Sequence, residues 1–204
     1  MTSITVLGSG SIGTAVAGIG VAAGADVQVI DRDKAKAAAI SSVTASEWGE
    51  PITGEIVVLA LPYPAQASVA EQYASQLAGK IVVDPSNPVD FSTMDSALPQ
   101  GAHSAAEQLA NSLPDSKIVK AFNTDFAATL ASRTNDGAPT TVMAASDSDE
   151  AKRALQTIVE KADLRFVDAG PLKRASYLEG FGALQMAVAT SGGTQWTSGF
   201  KVVK

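Results

Sequence analysis

Hydrophobic positions along the chain fall into two alternating patterns. Short runs are apolar or β-branched at consecutive positions: Ile4–Leu7, Val27–Ile30, Ile56–Leu61, Ile81–Val83, Ile118–Ala121, Thr140–Ala144 and Leu164–Val167. Such runs predict strands covered on both faces, as in a parallel sheet. Between them lie stretches with helical spacing. Ala151, Ala154, Leu155, Ile158 and Val159 share one helix face, and Asp147 with Glu150 three residues on predicts the N-terminal cap. Ala65, Val69, Tyr73 and Leu77 step by four along another helix. Pro171 to Ala189 reads as a final helix. Gly180 and Gly182 weaken it by about 1 kcal/mol each relative to Ala, and two glycines in one helix signal close approach of a ligand or another backbone. The alternation predicts an α/β fold: a doubly wound, mostly parallel sheet over residues 1–170. Residues 171–204 would add a small C-terminal extension, a helix and a tail packing on the sheet domain. That tail is apolar at Trp196, Phe200, Val202 and Val203. One long irregular connection, Asp84 to His103, carries Pro85, Pro88, Pro99 and Gly101. Connections of that length are usually functional or mobile.

Composition narrows the function classes. A chain of 204 residues, 46% hydrophobic and 18% charged, can bury a full core and is not disordered. Cys is absent and His103 is the single histidine. Disulfides, Cys/His zinc sites and a Cys nucleophile are excluded, and no metal is expected. The net charge of −6 argues against nucleic acid or an anionic membrane as a partner. No basic segment precedes the first strand, and the longest weakly polar stretch, Thr14 to Ala25, is too short to cross a bilayer. A cytoplasmic location is the expectation.

The first predicted strand runs into Gly8-Ser9-Gly10-Ser11-Ile12-Gly13, a G-x-G-x-x-G turn that opens a small-residue helix. A second strand follows and ends on Asp31. That context is the dinucleotide-binding fingerprint. Gly8 permits the tight turn, Gly10 lets the backbone meet a pyrophosphate, and Gly13 lets helix and strand pack closely. The helix N-terminus offers unpaired N–H groups to the phosphates. Asp31 suits the ribose hydroxyls of NAD, whereas Arg32 and Lys36 suit the 2′-phosphate of NADP. The residues alone leave that choice open.

Ligands of open α/β sheets sit at the carboxyl ends of strands. Leu61-Pro62-Tyr63-Pro64 closes the third run, Asp84-Pro85-Ser86-Asn87-Pro88 the fourth and Ala121-Phe122-Asn123-Thr124 the fifth. Tyr63 either covers a nicotinamide or fills the core edge. Asn123 or Thr124 either contacts ligand or caps a helix. No Tyr-x-x-x-Lys acid/base pair exists, since Ala67, Leu77 and Phe181 follow Tyr63, Tyr73 and Tyr177 by four. His103, in a Gly/Ala/Ser loop, reads as a surface residue. No catalytic residue is therefore assigned. Hydride transfer between two bound cofactors, which needs mainly proximity and orientation, fits such a site.

Six stretches together carry a resemblance: Gly8–Gly13, Leu61-Pro62, Val82–Pro88, Ser104-Ala105-Ala106-Glu107, Val119–Thr124 and Asp168–Leu172. In this order the chain resembles the NADP oxidoreductases that use the deazaflavin coenzyme F-420, and looks closest to their small bacterial relatives. The cytosolic reductase domain of the six-transmembrane metalloreductases is similar at Ser86–Pro88 and Lys120–Asn123. The resemblance implies a Rossmann domain with a small C-terminal extension, often dimeric. It implies hydride transfer between NADP(H) and a flavin or deazaflavin, with NAD(H) the other option for the donor. Carried over by position, Ser9, Gly10, Ser11 and Ile12 would hold the pyrophosphate. Arg32 and Lys36 would face the 2′-phosphate, and Leu61, Pro62, Tyr63, Ser86 and Asn87 would line the nicotinamide side. Asn123 stands where the archaeal enzymes carry a histidine near the second cofactor. Asp31 stands where NADP-specific members usually carry Ser. The implied partners are a small-molecule acceptor and a second copy of the chain. The rival readings are a reductase of small quinones, imines or ketones and a non-catalytic dinucleotide sensor.

Overall fold

Strand Ile56–Leu59 shows why the predicted runs are apolar at every position. Ile56 and Val58 face one buried cluster, Val57 and Leu59 the other, so the sheet is covered on both sides. The computed structural model describes residues 2–202, so the predicted apolar Val203 lies outside the described residues. In chain order the elements are β1 (Ser3–Leu7), α1 (Ser11–Ala22), β2 (Asp26–Asp31), α2 (Lys34–Ala38), β3 (Thr44–Glu47), β4 (Ile56–Leu59), α3 (Gln66–Leu77), β5 (Ile81–Asp84), α4 (Ala105–Ser112), β6 (Lys117–Ala121), α5 (Ala127–Ser132), β7 (Thr134–Asn135), β8 (Ala138–Pro139), β9 (Thr141–Ala145), α6 (Asp149–Lys161), β10 (Arg165–Gly170) and α7 (Ala175–Thr190).

Eight strands form one sheet in the order β10-β9-β6-β5-β4-β1-β2-β3. The β6–β9 pair is antiparallel, and every other neighbouring pair is parallel. The chain winds outward from β1 through β2 to β3, then crosses to β4 on the other side of β1. The order of winding therefore reverses between β1 and β4, and the crevice beyond their carboxyl ends is where such sheets bind ligands. Ile19, Leu155 and Ile158 cover one face with α1 and α6. Tyr73, Leu77 and Leu109 cover the other with α3 and α4.

Several local expectations need correction. The third run ends at Leu59, not Leu61, because Leu61 N–H turns back to the Leu59 carbonyl. The cap of α6 is Ser148, whose hydroxyl accepts from Ala151 N–H, while Asp147 accepts from Leu172 N–H. Pro171 stands outside the last helix, which a 3-10 turn at Leu172–Arg174 precedes. Neither Asn123 nor Thr124 caps a helix: α5 starts after Phe126 with no side-chain cap. β3 and the β7–β8 hairpin were not among the predicted strands. The hairpin turns on Asp136 and Gly137, both at positive φ, which is the turn that an Asp-Gly pair favours.

Ionic contacts fix α7 to the sheet. Lys120 Nζ lies 2.8 Å from an Asp84 oxygen and 2.9 Å from a Glu179 oxygen, and all three side chains are buried. Glu179 also accepts from Ala105 and Ala106 N–H at the start of α4. Burial raises the Glu179 carboxyl, against the pull of Lys120. The cluster pins the ends of β5 and β6, the start of α4 and the middle of α7. Among the described residues no helix is long and apolar enough to cross a membrane.

Candidate active site

Gly8 sits at φ +101°, where a side chain would be strained and its Cβ would lie 2.5 Å from the Ala60 carbonyl. A Cβ at Gly13 would overlap the Gly8 carbonyl oxygen. These two glycines therefore build the turn between β1 and α1. Gly10 differs: a Cβ there meets no protein atom within 4 Å, so the space beside it is open. No side chain caps α1. Its first N–H groups and its positive end thus face the crevice, the arrangement that suits a phosphate.

Asp31 holds this loop from β2. One carboxylate oxygen accepts from Ser9 N–H at 2.7 Å and from the Ser9 hydroxyl at 2.6 Å, and the other accepts from Asp33 N–H at 2.9 Å. Burial pulls the Asp31 carboxyl up, but these hydrogen bonds hold it below the usual carboxylate value. Arg32 is exposed, with its guanidinium 5.8 Å from the centre of the Trp48 ring.

A cleft of about 1600 Å³ opens along the carboxyl edge of the sheet. Of the residues proposed from sequence, Ser9, Gly10, Ser11, Ile12, Lys36, Leu61, Pro62, Tyr63, Ser86, Asn87 and Asn123 line it. Gly8 and Gly13 lie behind the lining as turn residues, and Asp31 and Arg32 stand outside it. Tyr63 faces the cleft with its hydroxyl donating to Gln108 Oε1 at 2.6 Å.

The far end is built from β5, β6 and α7. Asn87 Nδ2 donates to the Asn123 carbonyl at 2.9 Å, and Asn123 Nδ2 donates to Asn87 Oδ1 and to the Leu178 carbonyl, each at 2.9 Å. A Cβ at Gly182 would lie 2.6 Å from Asn87 Nδ2, so this glycine permits the close approach that its place in the helix suggested. Gly180 is exposed with nothing near its missing Cβ, so that expectation fails there. The side chains of Asn123 and Ser86 are not fully satisfied: Asn123 Oδ1 and Ser86 Oγ are buried without a partner.

Phe122 adopts φ +66°, a left-handed backbone that costs a bulky residue about 1–3 kcal/mol. It turns the chain off β6 and into the cleft wall. Three residues on lies Asp125, which lines the cleft and is only 8% exposed. Burial pushes its carboxyl up to about 7, against a weak pull from the Thr124 hydroxyl at 3.4 Å. Sequence reading missed Asp125, because a loop aspartate beside Thr looks solvated until its burial is known. Trp196 of the tail also lines the cleft, with its ring 4.7 Å from that of Phe126, and Phe200 lies 5.4 Å from Phe181. Trp196 and Phe200 are 51% and 53% exposed, so they do not seal the sheet.

The fold and cleft define an α/β protein of the dinucleotide-binding oxidoreductase class. Residues 3–88 match the family described as NADP oxidoreductase, coenzyme F420-dependent. The chain is 31% identical over 180 residues to the metalloreductase STEAP3 of Rattus norvegicus, covering 86% of this chain and 35% of that protein. It is 30% identical over 132 residues to the F420-dependent NADP reductase of Methanocaldococcus jannaschii, covering 62% of this chain and 58% of the relative. The chain thus spans less than two thirds of either. A solved structure from Arthrobacter sp. FB24, described as a candidate F420-dependent NADP reductase, superposes with a TM-score of 0.84 at 25% identity. That match covers 98% of this chain and 99% of the other. Residues 3–88 thus carry the match to the F420-dependent NADP oxidoreductase family, and the archaeal relative and the Arthrobacter structure carry names of that same kind of NAD(P)-dependent oxidoreductase.

Proposed function

We propose that the protein binds NADP(H) in the cleft and passes hydride between the nicotinamide and a flat, conjugated acceptor of the flavin or deazaflavin type. The observation that carries this reading is the continuity of the cleft from the uncapped N-terminus of α1 to the Asn87–Asn123 pair and Trp196. The pyrophosphate would sit on the N–H groups of Ser11 and Ile12, beside the open space at Gly10. Lys36 lines the cleft and supplies a cation for the 2′-phosphate. Leu61, Pro62 and Tyr63 would flank the nicotinamide on one side, and Ser86, Asn87 and Asn123 on the other. Bound NADPH supplies the hydride; the chain supplies orientation, exclusion of water and a rigid floor. The names of the relatives support the deazaflavin, and the apolar wall of Phe126 and Trp196 gives a flat ring a surface to lie on.

A second reading, reduction of small quinones, imines or ketones, uses the same donor and gains from Asp125, the titratable carboxyl in the cleft wall. The homodimer and the cytoplasmic location rest on the resemblance and the sequence. Light scattering of the purified protein reads the first. Single-turnover mixing of NADPH-loaded protein with FMN, a deazaflavin and a quinone tests the function. Rapid loss of the 340 nm band with at least one of them is expected, and no loss with any would sink it.

A further inference from the structure

Most buried charge in this protein is neutralised. Lys120 meets Asp84 and Glu179 at 2.8 and 2.9 Å, and Glu179 takes two further N–H bonds. Among the described residues Asp125 is the exception. Its side chain has one hydrogen bond, the long contact to Thr124, and no cation. Of the charged residues that share the cleft, Lys36 makes no bond to it, and Arg133 turns its guanidinium to the Ala162 carbonyl at 3.3 Å. Phe122, Phe126 and Trp196, which line the same cleft, are aromatic. A carboxyl placed so, on the wall of the cleft and two residues along the chain from the buried, unpartnered Asn123 Oδ1, has no structural bond beyond that long contact.

We infer that Asp125 is a catalytic acid, and that the acceptor is one that takes a proton together with the hydride, at a carbonyl oxygen or a conjugated ring nitrogen. This rests on the hydride-transfer reading above. In the reducing direction the C4–H bond of the dihydronicotinamide breaks and an acceptor C–H bond forms. The electron pair of the acceptor π bond moves to its terminal oxygen or nitrogen. That atom takes the proton from the Asp125 carboxyl, whose O–H bond breaks, and solvent then reprotonates the carboxylate. In the opposite direction the carboxylate receives the proton. Burial, which holds the carboxyl near neutrality, makes both forms available at ordinary pH.

The test compares the wild type with Asp125→Asn and Asp125→Ala in single-turnover mixing, with a quinone in one arm and a deazaflavin in the other. With the wild type, the rate of NADPH oxidation should fall about tenfold per unit as pH rises above roughly 7, and the rate of NADP+ reduction should rise through the same range. Asp125→Asn should lose about a hundredfold or more and show no such pH limb, with NADPH affinity by calorimetry within about twofold of wild type. Which arm responds identifies the carbonyl or ring-nitrogen acceptor. Carbon-13 NMR of labelled aspartate should show a carboxyl titrating near neutrality that is absent from Asp125→Asn. An asparagine variant with the wild-type rate and pH profile would overturn the proposal and leave the hydride-transfer reading standing, as would restored rates in Asn over Ala, which mark a positioning hydrogen bond. A wild type that binds NADPH but reduces neither acceptor fails the parent reading, and this one with it.

Discussion

The two ends of the cleft are built on opposite principles. At the β1–α1 end the groups that shape the turn are tied down: Ser9 to Asp31 through its N–H and its hydroxyl, Asp31 to Asp33 and the turn itself to Ile30 through Gly8 N–H. What remains free is the backbone of the helix N-terminus. At the β5–β6 end the polar side chains outnumber their partners. Ser86 Oγ and Asn123 Oδ1 are unpartnered, Asp125 has one long bond, and Phe122 is strained. The first end is a finished mould. The second stores unsatisfied groups and strain, which is where chemistry, rather than binding, is usually placed. Beneath the second end, the Lys120–Asp84–Glu179 cluster and the close fit of α7 at Gly182 fix the elements that carry it.

The sharpest way to break this contrast is to relieve the second end. The Asp125 carboxyl is raised from 3.8 to about 7 in the folded protein. Below pH 4 both folded and unfolded chains keep the proton and the group is neutral in its effect. Between about 4 and 7 the unfolded chain releases the proton while the folded one keeps it, so stability falls as pH rises. Above 7 the full penalty applies, up to about 4 kcal/mol. Asp125→Asn should therefore be more stable than wild type in urea at pH 8, with the gap closing toward pH 4. A variant destabilised at pH 8 would show that the carboxylate is well accommodated and that the contrast is false.

Glycine substitutions separate the mould from its ligand surface. Gly13→Ala and Gly182→Ala each drive a methyl into packed atoms, and each should cost about 1–3 kcal/mol in unfolding experiments. Gly180→Ala meets open space and replaces a helical glycine, so it should add about 0.5–1 kcal/mol. Equal effects at Gly180 and Gly182 would mean that α7 does not approach the Asn87–Asn123 pair as described.

Cofactor choice carries the smallest expected effect. Arg32 is exposed on Trp48 and Asp31 is occupied by Ser9, so neither dominates alone. Arg32→Ala should weaken NADPH by about 1 kcal/mol and NADH by less, read by fluorescence titration. Equal losses would assign Arg32 to adenine stacking alone.

How much of this was legible follows from sequence distance. The β1–α1 end is local: Gly8 to Asp31 contains the turn, the helix and the carboxylate, and Gly8 and Gly13 have geometric duties that spacing announces. Six of the seven predicted strands are apolar runs that bury on both faces, whereas β10, at the sheet edge, is only half-buried. β3 was hidden because Thr-Ala-Ser-Glu at a sheet edge needs no apolar run, its one buried residue being Ser46. The second end was legible only in pieces. Ser86, Asn87 and Asn123 were found as strand-end residues. Asp125 was not, because its meaning lies in its burial on the cleft wall, which no local pattern announces. The tail aromatics were legible only as apolar residues, and it is exposure and the Phe126 contact that put Trp196 on the cleft wall.

Gly10 tests the central claim most directly, because its missing Cβ faces open cleft rather than protein. Calorimetric titration of NADPH into wild type and Gly10→Ala, with thermal melts of both, is the decisive measurement. The account predicts matching melts, saturable NADPH binding to the wild type, and affinity at least about tenfold weaker in the variant, or ~1.4 kcal/mol. Equal affinity in two equally stable proteins, or no binding to the wild type, would contradict it.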